Sequence, residues 1–224
     1  MNDYISENIE KSNKSPYDNM IKVYLTFDDG PSANTNNILD VLAEYGVKAT
    51  FFVNGHEGYE NQYIRIVEEG HTIAMHSFSH SYKDVYKDLD SFADDLYKIQ
   101  SYIMDLTGVN CTFYRFPGGS SNTVCRVSMK DCIDYLNAKG MRYYDWNVAG
   151  NDAVVNGASV NTIVNNVIGQ IASCEDDTII ILLHDSGDKS TTVEALPIII
   201  EKIANMDNVV LLPITDDTKP IHHI

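Results

Sequence analysis

Four short polar clusters in this chain could carry chemistry: Asp28-Asp29-Gly30-Pro31, His76-Ser77-Phe78-Ser79-His80, Arg115-Phe116-Pro117-Gly118-Gly119-Ser120 and His184-Asp185. Two carboxylates that come close need a metal ion, an arginine or a proton to neutralise them. Gly30 and Pro31 force a turn at which both could face one cavity, although a solvated turn uses the same residue types. Histidines at i and i+4 share one face of a helical turn and can share a metal; two exposed histidines are the bland alternative. Two histidines and one aspartate make three protein ligands, the number that leaves a fourth position for water in catalytic zinc sites. Arg115 could hold a carboxylate ionised and oriented. Gly118 and Gly119 would let backbone N–H groups approach a ligand. His184, directly after an apolar run, is placed to act as an acid or base.

Such groups need elements to position them. Val23–Phe27, Thr50–Val53, Thr72–Met75, Thr112–Phe116, Arg142–Trp146, Thr178–Leu183 and Val209–Leu212 read as strands. Between them lie stripes at helical spacing: Ile38, Leu39, Leu42 and Tyr45; Tyr63, Ile64 and Val67; Phe92, Leu96, Ile99, Ile103 and Leu106; Met129 to Lys139; Ile163, Val167 and Ile171; and Val193 to Ile203, where Pro197 blurs the start. Gly46, Gly70, Gly108 and Gly140 close four of them. Alternating strands and helices imply βαβ units and a parallel sheet. Seven strands suit a closed or nearly closed barrel first and an open doubly wound sheet second. In a barrel, active sites sit at the C-terminal ends of the strands, and all four polar clusters fall at such ends. Each cluster alone has an ordinary structural explanation; their coincidence does not.

Composition narrows the partners. The 224 residues are 44% hydrophobic, enough for a core. Sixteen Lys and Arg against 32 Asp and Glu leave a formal charge of −16, which disfavours nucleic-acid phosphates and anionic membranes. No apolar run reaches the roughly 18 residues of a membrane span. Met1 to Met20 lacks the basic start and apolar stretch of a signal peptide, so either the protein stays inside the cell or a leader or anchor has been removed. Residues 1–16 read as a flexible lead-in and 17–224 as one domain. Cys111, Cys125, Cys132 and Cys174 form no CxxC pair; they read as free thiols, with Cys125 and Cys132 close enough in sequence to bond.

Taken in order, Thr26-Phe27-Asp28-Asp29-Gly30-Pro31-Ser32, His76-Ser77-Phe78-Ser79-His80, Arg115-Phe116-Pro117-Gly118-Gly119 and Leu182-Leu183-His184-Asp185 resemble the motifs of the polysaccharide deacetylases, the NodB-homology domains of carbohydrate esterase family 4. Thr50-Phe51-Phe52-Val53 also matches a stretch common in that family, and the resemblance runs from about Val23 to Leu212. It implies a distorted seven-stranded (β/α) barrel and a hydrolase acting on carbon–nitrogen bonds other than peptide bonds. It further implies Asp28 as general base, Asp29, His76 and His80 as metal ligands, and Arg115 orienting Asp28. The Gly118 amide would bind the oxyanion, His184 would be the general acid, and Leu182 or Leu183 would line the acetyl pocket. The family's remaining motif is an Asp-Trp pair whose aspartate tunes the acid histidine. Here Asp152 fits but Ala153 replaces the tryptophan, and Asp145-Trp146 offers a second candidate, with Trp146 expected at the substrate site.

Amide hydrolysis needs an activated water, a stabilised oxyanion and a protonated amine leaving group. Zinc is the expected metal, with cobalt or nickel possible. The substrate expected is an N-acetylated β-linked glycan, peptidoglycan before chitin oligomers or acetylated xylan, bound by a monomer in an open groove and outside the cell or at its wall. Two other readings remain: a carbohydrate-binding pseudoenzyme, and a metal-free glycosidase using Asp28 with a second carboxylate.

Overall fold

A computed structural model describes residues 16–154 and 157–224. Apart from Pro16, the expected lead-in lies outside the described residues. Among the described residues eight strands run in one all-parallel sheet: β1 (Ile21–Asp28), β2 (Thr50–Val53), β3 (Thr72–Met75), β4 (Phe113–Tyr114), β5 (Arg142–Tyr143), β6 (Val148–Ala149), β7 (Thr178–His184) and β8 (Val209–Leu211). Seven follow the order β5-β4-β3-β2-β1-β7-β6, and β8 pairs with the start of β1. Helices α1 (Thr35–Glu44), α2 (Glu60–Glu68), α3 (Tyr82–Val85), α4 (Leu89–Thr107), α5 (Met129–Ala138), α6 (Val160–Ser173) and α7 (Ser190–Ala204) fill the connections.

The two ends of that path, β5 and β6, are only four residues apart in the chain. Residues 144–147 therefore cross a seam at which the curled sheet stays open. This corrects the expected strand Arg142–Trp146: the ladder stops at Tyr143, and a short β6 starts at Val148 on the far side. The crossing is held by other bonds. Tyr144 N–H donates to the Tyr114 carbonyl at 3.0 Å, and the Asn147 side chain bridges Ile180 N–H and the Thr178 carbonyl at 2.8 and 2.9 Å.

Burial divides the strands by parity, because successive side chains of a strand point to opposite faces. Val23, Leu25, Phe27, Phe51, Ile73, Met75, Tyr114, Ile179, Ile181 and Leu183 face outward into the large core beneath the helices. Tyr24, Phe52, Ala74, Tyr144, Ile180 and Ile214 face inward and fill the barrel. Helices supply the outer layer for the reason seen in α4. Its buried Phe92, Leu96, Ile99 and Ile103 make one stripe, Asp88 caps the start by accepting the Ser91 N–H, and Gly108 ends it at φ 73°. Among the described residues no helix is long and apolar enough to cross a membrane. All four cysteines are free thiols.

Candidate active site at the barrel mouth

The inward parity that puts Tyr24 and Thr26 in the barrel brings Asp28 to its mouth. The same count puts His76 after Thr72 and Ala74, Arg115 after Phe113, and His184 after Ile180 and Leu182. Four chemically active side chains thus reach one opening because each ends the inward column of its own strand. Asp29 comes one residue too late for this rule. It reaches the same opening because its backbone turns back at φ 70°, a left-handed conformation that aspartate tolerates better than most residues. His80 uses the same device at φ 51°, and its N–H donates to Ser77 Oγ at 2.6 Å.

Asp29, His76 and His80 offer ligand atoms within 4.8 Å of one another. Asp29 Oδ1 lies 3.2 Å from His80 Nε2 and 3.6 Å from His76 Nε2. His76 Nδ1 donates to the Arg115 carbonyl at 2.8 Å, which orients the ring and leaves Nε2 as the atom facing the aspartate. Burial lifts the Asp29 pKa, but the charges of His76, His80 and His184 and a hydrogen bond from Asn54 outweigh it and hold the carboxylate below its usual range. Burial and the neighbouring His76 push His80 down, toward the neutral imidazole that binds metals. The donor set therefore fits a borderline divalent ion such as Zn²⁺.

On one side of this cluster stands Asp28, 3% exposed. Its Oδ1 accepts from Arg115 Nη1 at 2.8 Å, while Oδ2 lies 3.8 Å from His76 Nε2. Arg115 is fully buried, its guanidinium 4.0 Å from the Phe52 ring centroid, and donates also to Thr26 Oγ1 and to the carbonyls of Tyr144 and Asp145. With these acceptors satisfying its donors, the buried cation is locked in one orientation. On the adjacent strand β7, in register with Asp28, His184 Nδ1 meets Asp152 Oδ1 at 2.8 Å. Asp152 Oδ2 accepts from His184 N–H and Thr192 Oγ1, both at 2.8 Å. Burial alone would lower the His184 pKa; the hydrogen bond and charge of Asp152, with Asp28 and Asp29 beyond, win and raise it. Asp152 is held low by the same bond against its own burial.

Asp145, the other candidate partner of His184, bonds instead to Ser120 and His223. Leu182 faces the mouth, whereas Leu183 points into the outer core, where it would lie 2.6 Å from a Cβ on Gly150. Of the two leucines expected at the site, strand parity thus puts Leu182 at the mouth. Gly118 and Gly119, at φ 78° and 79°, make the tight loop after β4. Trp146 is half-buried against that loop, 3.0 Å from where a Gly119 Cβ would be. Ala153 is exposed.

Several contributors escaped the sequence reading. Asn54 ends the inward column of β2, and its amide donates to Asp29 Oδ1 at 3.3 Å; the parity of Thr50-Phe51-Phe52-Val53-Asn54 could have found it. Tyr82 packs edge-on to His80, with ring centroids 5.5 Å apart, and reaches Gly118. Asp185, named with His184 in the sequence but given no role of its own, is fully buried and braces the turn after β1: Ser32 and Thr35 hydroxyls donate to it at 3.2 and 2.6 Å, and its N–H donates to the Asp28 carbonyl at 2.7 Å. Burial, opposed by those hydroxyls and helped by the charge of Asp29, raises its pKa to about 7.

Fold and mouth together define a barrel of the carbohydrate-esterase kind. Residues 17–143 match the model of the family described as polysaccharide deacetylase, and the chain belongs to that family. The matched span holds Asp28, Asp29, His76, His80, Arg115 and Gly118; Asp152 and His184 follow it. The chain is 31% identical over 184 residues to the putative polysaccharide deacetylase YheN of Bacillus subtilis, covering 81% of this chain and 63% of that protein. It is 34% identical over 204 residues to a bifunctional xylanase/deacetylase of Pseudobutyrivibrio xylanivorans, covering 89% of this chain and 31% of that one. The chain thus spans under two thirds of either relative. Among solved structures, the catalytic domain of a peptidoglycan N-acetylglucosamine deacetylase from Eubacterium rectale superposes with a TM-score of 0.87 at 37% identity, over 96% of this chain and 98% of that one.

Proposed function

We propose that this protein hydrolyses the N-acetyl groups of an amino-sugar polymer, with peptidoglycan as the first candidate. One observation carries the reading: a base held by a buried arginine and an acid held by a buried carboxylate end two adjacent strands beside the Asp29–His76–His80 cluster. Asp28 Oδ1 is committed to Arg115, so Oδ2 is the oxygen that takes a proton from the attacking water. His184 holds its Nδ1 proton against Asp152 and delivers the other, from Nε2, to the departing amine as the C–N bond breaks. Acetate and a free amine leave. The Gly118 N–H is the backbone donor for the oxyanion, and Leu182 lies where the acetyl methyl would rest. Asp29, His76 and His80 would hold a divalent ion, Zn²⁺ or else Co²⁺ or Ni²⁺; the chemistry it supplies when bound is polarisation of the acetyl carbonyl and a lowered pKa for water.

An acid whose pKa is raised by a carboxylate partner matters more for an amine than for an alkoxide, which leaves more readily. That favours amides over the ester groups of xylan, and the similarity to the peptidoglycan N-acetylglucosamine deacetylase of Eubacterium rectale points the same way. A wall substrate would put this domain outside the cytoplasmic membrane, and the charge of −16 suits a polymer that gains amino groups. The test is acetate release from peptidoglycan, chitin oligomers and acetylated xylan at matched acetyl concentration, with and without a chelator. Chelator-sensitive release, greatest from peptidoglycan, is expected. Preference for xylan would overturn the substrate, and release of reducing ends without acetate would overturn the reaction.

A further inference from the structure

At the seam, residues 218–224 lie against the crossing 144–147 and complete the wall that the sheet leaves open. Asp145 N–H donates to the Ile221 carbonyl at 2.8 Å, and the His222 ring stacks on Tyr143 with centroids 3.9 Å apart. Asp145 is fully buried and every part of it is engaged. Oδ1 accepts the Ser120 N–H at 2.8 Å; Oδ2 accepts the Ser120 hydroxyl and, at 2.8 Å, the His223 N–H. The Asp145 carbonyl accepts from Arg115 Nη2 at 3.2 Å. A single residue therefore touches both the arginine that holds Asp28 and the loop that carries Gly118.

His223 fastens this residue. Its Nε2 donates to the Trp146 carbonyl at 2.7 Å, and its ring packs edge-on to Trp146 with centroids 4.8 Å apart. Its Nδ1 lies 3.3 Å from where a Gly119 Cβ would be, and 3.4 Å from Ser121 Oγ. A seam that only needed sealing would be served by apolar side chains, since a buried carboxylate is costly unless its acceptor sites are filled. Here the carboxylate takes its donors from the Gly118 loop and from residue 223, while the main-chain carbonyl of the same residue takes Arg115.

We propose that Asp145, fastened by His223, is a positioning residue for deacetylation: it holds the Gly118 loop at a set distance from the Arg115–Asp28 pair. The inference rests on the deacetylase reading above. A misplacement of about 1 Å in a catalytic constellation can cost on the order of 10²-fold in rate. Asn at 145 keeps the Ser120 N–H bond but turns a donor toward His223 N–H. Ala at 223 loses the tie to Trp146, while Gln at 223 can place a donor near the former Nε2.

The experiment measures kcat and KM for acetate release from chitin oligomers and peptidoglycan by the full chain and by Asp145→Asn, His223→Ala and His223→Gln. Melting temperature and metal content are measured on the same samples. Asp145→Asn is expected to lower kcat by about 10²-fold and His223→Ala by roughly 10-fold, with KM, metal content and melting near those of the parent. His223→Gln is expected to recover most of the loss. Unchanged kcat in both disruptive variants overturns the proposal, as does a loss that tracks melting or metal content, or one that Gln fails to rescue. If Asp145→Asn does not fold, the His223 pair decides alone. A parent protein that releases acetate from no polymer overturns the deacetylase reading and this inference with it; an active parent with indifferent variants overturns only the inference.

Discussion

His71 and His76 flank the same strand, β3, and live in opposite chemistries. His71 precedes the strand at the closed end of the barrel. Its side chain is fully buried, Nδ1 accepts the Ala49 N–H at 3.1 Å, and the nearest carboxylate oxygen, Glu69 Oε2, is 4.0 Å away. Burial and the charge of Lys48 push its pKa down to about 4 against the weaker pull of Glu69, so it is a neutral packing residue. His76 follows the strand at the open end, facing Asp28 and Asp29. At the end of β7, His184 is desolvated too, yet its pKa moves up, because Asp152 stands at bonding distance. Burial disfavours the charged imidazole in both places; the carboxylate within 3 Å decides the outcome. The C-terminal ends of the strands collect such partners, and the N-terminal end here serves stability.

That contrast can be broken most severely at the cluster. Asp29→Asn and His80→Ala should each strip the bound metal and reduce acetate release to background; metal analysis of the purified variants checks this, and a full complement of metal in both would remove the assignment. Asp28→Asn comes next, with release lowered by about 10²–10⁴-fold, the range for a lost general base, while metal content stays at the parent level. Near-normal turnover would strip Asp28 of its role.

A smaller and more pointed effect belongs to Asp152→Asn. His184 must be protonated to act as the acid, so activity falls as pH rises through its pKa, and raising that pKa carries activity to higher pH. Losing Asp152 should move the alkaline limb of the pH–rate profile to lower pH and reduce kcat by roughly 10²-fold. A stationary limb would show that the carboxylate does not set it.

The smallest effect lies at the other end of β3. His71→Asn, which keeps an acceptor for the Ala49 N–H, should leave acetate release unchanged. It should alter only how stability depends on pH. The folded pKa of about 4 lies below the ordinary value of 6.5, so between those values the unfolded chain binds the extra proton. His71 therefore contributes stability that is present above pH 6.5 and is lost as pH falls toward 4. The variant should lack this component, at most about 3 kcal/mol, when urea midpoints are compared across that range. A clear loss of activity would erase the distinction between the two ends.

Much of this was legible in the residues. Strand runs with outward Val23, Leu25 and Phe27, helical stripes ending at Gly46, Gly70, Gly108 and Gly140, and polar clusters just past the strands are local patterns set by side-chain period and glycine's tolerance of positive φ. The family motifs pointed to Asp28, Asp29, His76, His80, Arg115 and His184 for the same reason. Each occupies the end of one element, and an element's end is written in its own sequence. Strand parity was equally available, and it would have chosen Leu182 over Leu183 and added Asn54.

What the chain could not state locally was which distant pieces meet. Asp145 and Asp152 are seven residues apart, the first after β5 and the second after β6. Only the opening of the sheet between β5 and β6 sends one to Ser120 and the other to His184. The short β6 was invisible because two residues carry no period. The role of residues 218–224 was invisible because their bonds run to Tyr143, Asp145 and Trp146, more than 70 residues earlier. The amino-acid sequence by itself determined the alternation of strands and helices and the identity of the groups at each strand end, through short-range sterics and side-chain period. Tertiary structure alone decided which of those groups became partners, because a hydrogen bond of 2.8 Å depends on where the barrel closes and where it does not.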